Sequence, residues 1–104
     1  MAPIVVTVSW PQGATGPTVD IDPIVVPKGA GATVIRWDSG AGVSALQIHG
    51  LPEGVFTPAT SSGLVPSFST TDANRVAGTY TYTVSATQAG GRTAQHDPRI
   101  QNGG

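Results

Sequence analysis

Apolar and hydroxyl residues alternate strictly through Gly78-Thr79-Tyr80-Thr81-Tyr82-Thr83-Val84-Ser85, the two-residue period of a β-strand. Tyr80, Tyr82 and Val84 share one face, and Thr79, Thr81, Thr83 and Ser85 the other. A core on one side and water on the other account for both sets, which predicts a central, half-buried strand. The same alternation recurs in shorter pieces. Ile4 to Trp10 sets Val6, Val8 and Trp10 against Thr7 and Ser9 and stops at Pro11. Ala32 to Trp37 sets Thr33, Ile35 and Trp37 against Val34 and Arg36. Val43 to His49 sets Val43, Ala45, Gln47 and His49 against Ser44, Leu46 and Ile48. Ser67 to Thr71 reads as one more short strand, with a turn at Asp72-Ala73-Asn74.

Prolines and glycines punctuate these runs. Gln12 to Pro17 is a loop, and Thr18 to Val26 carries Val19, Ile21, Ile24 and Val26 around Pro23. A proline there removes a ladder donor, so the segment is expected to be an edge strand or one broken by a bulge. Pro27 to Gly31 and Asp38 to Gly42 are turns. Gln88-Ala89-Gly90-Gly91 is a hairpin turn into a final strand from Arg92 to Gln101, interrupted at Pro98. Gly50 to Pro66 is the least regular stretch, with apolar spots at Val55-Phe56 and Leu64-Val65, and predicts long loops and short strands that cross between sheets. No stretch has helical periodicity, and no repeat or linker divides the chain. About seven or eight short strands separated by turns predict one all-β domain over 1–104, a two-sheet sandwich.

Composition narrows the functional classes. The chain has 104 residues with 14 glycines and 9 prolines, and charged residues make up 11% of it against roughly 25% in typical soluble domains. The basic residues Lys28, Arg36, Arg75, Arg92 and Arg99 are dispersed, whereas phosphate backbones need clustered cations, so nucleic acid is not an expected partner. Cysteine is absent, which excludes disulfides, thiolate metal sites and cysteine nucleophiles and leaves the compartment open. Met1-Ala2-Pro3-Ile4-Val5-Val6 lacks a basic stretch followed by a long apolar one, so no signal peptide is expected. No apolar run reaches the roughly 20 residues of a membrane span.

Two segments resemble a known family when taken together. Ile24-Val25-Val26-Pro27-Lys28-Gly29 leading into Thr33-Val34-Ile35-Arg36-Trp37, with Ala77-Gly78-Thr79-Tyr80-Thr81-Tyr82, resembles the cupredoxin pattern. There a valine-proline-lysine-glycine turn leads into a tryptophan strand, and a glycine-threonine-tyrosine strand leads to the metal site. The immunoglobulin-like sandwich is similar in the same places, with Trp37 as core tryptophan and Tyr80 as candidate tyrosine corner, its hydroxyl tying the loop before the strand. Either resemblance implies a Greek-key sandwich. Blue-copper chemistry does not carry over: the cysteine position of the cupredoxin pattern is Val84, the following histidine position is Thr87, and the only methionine is Met1, so three of the four ligands are missing. The C-terminal segment His96-Asp97-Pro98-Arg99-Ile100-Gln101-Asn102 also looks like the end of small bacterial proteins of the DP-EP type. Their closing glutamate-proline falls where this chain has Gly103-Gly104, and that family carries no established activity.

The remaining candidate sites each compete with a structural reading. His49 and His96 are the only histidines, and two imidazoles hold Cu(II) or Zn(II) if their strands bring them together, with Asp97 or Asp38 as a third ligand. The preferred reading has His49 capping a strand and His96 on the surface. Asp20, Asp22 and Asp38 invite a calcium reading. The Asp20-Ile21-Asp22 spacing puts two carboxylates on one strand face, where solvation explains them without an ion. No serine lies in a nucleophile elbow, and Gly29-Ala30-Gly31 lacks the rest of a phosphate loop. Trp10, Trp37, Phe56 and Phe68 are candidates for a ligand platform, with core packing the preferred account and Trp10 expected to be partly exposed. The sequence therefore predicts a non-catalytic module with no cofactor, metal or catalytic residue assigned. Its role is structural or protein-interacting, through loops or by pairing edge strands with a partner or a second copy; a metal-binding domain using His49 and His96 is the alternative.

Overall fold

A computed structural model of the chain describes residues 3–104; the Met1-Ala2 start of the N-terminal segment lies outside the described residues. Among them there are eleven strands and no helix, so none crosses a membrane as a helix. The strands are β1 (Ile4–Ser9), β2 (Thr18–Val19), β3 (Ile24–Val26), β4 (Thr33–Ser39), β5 (Ala45–His49), β6 (Phe56–Thr57), β7 (Ser67–Asp72), β8 (Gly78–Thr81), β9 (Thr83–Thr87), β10 (Thr93–His96) and β11 (Arg99–Asn102). They form a five-stranded sheet, β2-β1-β4-β7-β6, and two three-stranded sheets, β10-β9-β5 and β3-β11-β8. β1 runs parallel to β4, and β3 parallel to β11. The other pairings are antiparallel.

The count exceeds seven or eight because three expected strands are each cut in two. The Thr18 to Val26 segment divides before Pro23, at a cis Asp22–Pro23 bond, with β2 joining the five-stranded sheet and β3 joining β11. The proline thus marks a change of sheet, and both halves are edge strands as the missing donor requires. The alternating run divides at Tyr82 into β8 and β9, and the final strand divides at Asp97-Pro98 into β10 and β11. The Tyr82 amide donates to the Pro98 carbonyl at 3.0 Å, so hydrogen bonding crosses both breaks. β9 lies centrally between β10 and β5, whereas β8 is an edge.

Alternation dictates which side chains meet. Val6 and Val8 of β1, Ile35 and Trp37 of β4, Phe68 of β7, Leu46 and Ile48 of β5, Val84 and Ala86 of β9, Ile24 and Val26 of β3 and Ile100 of β11 form one buried cluster. Trp37 sits at its centre, stacked on Phe68 with centroids 5.9 Å apart and edge-on to Tyr82 at 5.3 Å. Its indole N–H donates to the Tyr82 hydroxyl at 3.0 Å. Burial pushes the Tyr82 phenol well above its ordinary range; the Trp37 hydrogen bond opposes the shift and the charge of Asp22 adds to it. The buried tyrosine of the alternating run is therefore Tyr82. Tyr80 is only half-buried, and its hydroxyl takes no protein hydrogen bond among the described residues, so it does not act as a tyrosine corner.

The register also defines two ends. At one, β1 finishes at Ser9 beside Thr18, β4 finishes at Ser39 and β10 starts opposite Thr87. Trp10 closes this end and is 3% exposed, contrary to the expected partial exposure. Its amide donates to the Ala41 carbonyl, its indole N–H to the Ala14 carbonyl at 3.0 Å, and the Arg92 guanidinium lies 5.5 Å from the ring centroid. Gly42, at φ +80°, packs so closely on the Trp10 carbonyl that a Cβ would overlap it. At the other end β4 begins at Thr33 opposite Asp72, and β11 finishes at Asn102 opposite Gly78.

Candidate functional site

The Asp72 end is closed by polar groups. Phe68, Thr70 and Asp72 alternate inward along β7, and the last of them is 0% exposed. Asp72 Oδ1 accepts the Asn74 amide at 2.9 Å and the Asn102 side-chain amide at 2.8 Å. Asn74, in the left-handed region at φ +49°, donates its side-chain amide to the Pro27 carbonyl and accepts the Gly104 amide on Oδ1. Gly103 lies against the Lys28 backbone with no room for a Cβ. The second oxygens of the Asp72–Asn102 pair, Asp72 Oδ2 and Asn102 Oδ1, are buried without a partner among the described residues. Burial raises the Asp72 carboxyl above its ordinary 3.8, against the lowering effect of the Asn102 and Asn74 hydrogen bonds.

This knot fixes the start of the segment 73–76, and the outer surface of that segment forms a cleft. The cleft holds about 180 Å³ and is lined by Gly54, Val55, Ala73, Arg75, Val76 and Tyr80. The Ala73 amide donates to the Val55 carbonyl at 2.9 Å, joining the two walls. The Tyr80 ring stands edge-on to buried Phe56, centroids 5.6 Å apart. Arg75 is exposed and forms no ion pair among the described residues. Val76 is the most exposed large apolar residue described, at 71%.

The histidines are not brought together. His49 is paired with Thr83 and His96 with Val84, on either side of β9, and successive residues of a strand face opposite ways, so the two rings lie on opposite faces. His49 Nε2 is 3.3 Å from Ser85 Oγ, which also accepts the Gln95 amide at 3.2 Å. These two side chains cover Ser85, which explains why a residue on the expected water side is buried. A nucleophilic serine needs a base that is itself oriented by a third group. Here the hydroxyl is instead engaged by an amide donor, and the trio forms a polar clasp across β5, β9 and β10. His96 Nε2 lies 3.9 Å from Asp22 Oδ2, and Asp22 Oδ1 accepts the Arg99 amide at 3.1 Å.

The other sequence candidates also separate. Asp20 and Asp22 do not share a strand face, because the chain leaves β2 before them; Asp20 accepts the Thr7 amide at 2.8 Å while Asp22 turns to β11. Asp38 pairs with Arg36 at 2.7 Å, and Asp97 accepts the Thr83 hydroxyl at 2.9 Å. No group of three or more histidine, aspartate or glutamate side chains converges among the described residues. Trp10, Trp37, Phe56 and Phe68 are all core residues, so the aromatic platform gives way to core packing. Sequence reasoning reaches neither the knot nor the cleft. One signal for the knot is present, since Asp72 continues the inward alternation of Phe68 and Thr70. Compared with known proteins, the chain matches no family model, and no curated protein is significantly similar to it.

Proposed function

We propose that the chain is a non-catalytic β-sandwich module with a structural or protein-interaction role, making contact through the loops at its Asp72 end. The architecture assigned to it is a two-sheet Greek key, cupredoxin-like or immunoglobulin-like, in which β10-β9-β5 and β3-β11-β8 are halves of one bent sheet. The Tyr82–Pro98 hydrogen bond across the breaks supports that reading. The functional reading rests on Val76. Single exposed apolar side chains are ordinary on a protein surface, but this one stands on the rim of an apolar cleft beside an arginine with no ion pair among the described residues.

The strand edges lend less support than the loops. β2 and β6 have two residues each, β3 has three and is bracketed by Pro23 and Pro27, the free side of β5 is bonded to Val65 and Ser61, and the remaining edges, β8 and β10, have four residues each. Short and proline-bracketed edges discourage added strands. Wild-type protein and a Val76→Asp variant, altered only where the side chain is in solvent, test the reading by sedimentation at high concentration and by partner capture. Association or capture that Val76→Asp abolishes supports the module. A strict monomer that captures nothing, or capture indifferent to the change, overturns it.

A further inference from the structure

The chemistry of the cleft points to what it receives. Its volume of about 180 Å³ is somewhat larger than the ~150 Å³ apolar cavity that accommodates benzene, so it takes one aromatic ring or one branched aliphatic side chain. Val55, Ala73, Val76 and the Tyr80 ring supply apolar wall. Arg75 supplies a cation that no carboxylate of the described chain meets, and the Tyr80 hydroxyl is a second unengaged donor. An apolar volume flanked by donors, with no acidic side chain among its lining residues, is complementary to an apolar group that carries a carboxylate.

The interior behind the cleft gives a second, independent observation. Asp72 and Asn102 are nine-tenths or more buried and each keeps an orphan acceptor among the described residues, a state that costs stability. What the knot holds in place is Asn74 and the segment that forms the Arg75–Val76 rim. Sequences depart from local consistency at functional sites, and a rim fixed in advance lowers the ordering cost of binding.

Resting on the interaction role proposed above, we infer that the cleft binds a partner polypeptide through one apolar side chain next to a carboxylate, the simplest such group being an apolar C-terminal residue. Val76 extends the apolar surface outward past the volume of a single ring, which suits a ligand continuing as a chain.

The test uses the full chain, isotope-labelled on nitrogen, titrated with the tripeptide glycyl-seryl-phenylalanine and with the same peptide as its C-terminal amide. Saturable shifts at Gly54, Val55, Ala73, Arg75 and Val76 are expected. Affinity for the free acid should exceed that for the amide by about twofold to fivefold, the range of an exposed ion pair, and Arg75→Gln should remove that difference. Three outcomes overturn the inference: no saturable shift at millimolar peptide, equal affinity for acid and amide, or shifts confined to another surface. The last would leave the interaction module standing with its contact elsewhere. A strict monomer that captures nothing, or capture indifferent to Val76→Asp, would remove that reading separately.

Discussion

The two ends of this molecule are closed by opposite chemistry. At one, Trp10 plugs the strands with an apolar ring whose single N–H is satisfied by the Ala14 carbonyl. At the other, Asp72, Asn74 and Asn102 fill the same kind of position with acceptors and amides, and two oxygens go without partners among the described residues. The first end is what burial favours unaided: about 25 cal/mol per Å² of apolar surface, with no polar group left unmatched. The second gives up part of that gain and receives directional hydrogen bonds, which fix one conformation of the loop outside. An apolar plug stabilises, whereas a polar knot also specifies.

The largest expected effect tests the apolar end. Trp10→Ala should lower unfolding free energy by about 3–5 kcal/mol, the cost of an emptied aromatic site, read as an earlier urea midpoint with little change in slope. Gly42→Ala comes next, at about 2 kcal/mol, because a positive φ and the overlap with the Trp10 carbonyl are imposed together. At the polar end the sign reverses. Asp72→Asn keeps the acceptor for Asn74 and Asn102 and removes a buried charge, so it should stabilise by about 1–2 kcal/mol at neutral pH, whereas Asp72→Ala strands both donors and should destabilise by about as much.

Titration sharpens the same contrast. The Asp72 carboxyl holds its proton to a higher pH folded than unfolded, so between the ordinary value of 3.8 and the raised one the folded state binds the extra proton. The contribution of Asp72 to stability should therefore be fullest below that window and fall as pH rises through it, then level off. The difference between wild type and Asp72→Asn, followed by thermal unfolding across pH, should carry this slope. The smallest effect belongs to Arg92→Ala, which removes the cation over Trp10 and should cost about 0.5–1 kcal/mol, shrinking in urea titrations at high salt.

The apolar end is largely legible in the sequence, because it follows from alternation: Val6, Val8 and Trp10, then Thr33, Ile35 and Trp37. What misleads there is local. Pro11 suggests an exposed strand end, and only the return of Ala41 and Gly42 over Trp10 buries it. The polar end is hidden for a different reason. Asp72-Ala73-Asn74 has turn chemistry, and a turn is what it forms, through the Asn74 amide and Asp72 Oδ1. That the turn is interior depends on Asn102, thirty residues away along the chain, and no local pattern carries that pairing. The same limit separates His49 from His96. Each lies on a strand as expected, but their opposite faces follow from a register offset of one residue against β9, which spacing along the chain does not encode.

The parallel pairing of β3 with β11 carries a consequence in time. Among the described residues β3 has no ladder partner except β11, and the contact between Asp22 and the Arg99 amide beside it spans 77 residues. Closing so long a loop is repaid only once both ends are in place, which puts folding in the slow class of chains dominated by distant contacts, milliseconds to seconds. The knot waits on the same event, since Asn102 belongs to β11. The strand that joins the sheet last thus completes the core through Ile100 and the rim of the cleft through Asn102, so the contact surface forms no earlier than the core it stands on.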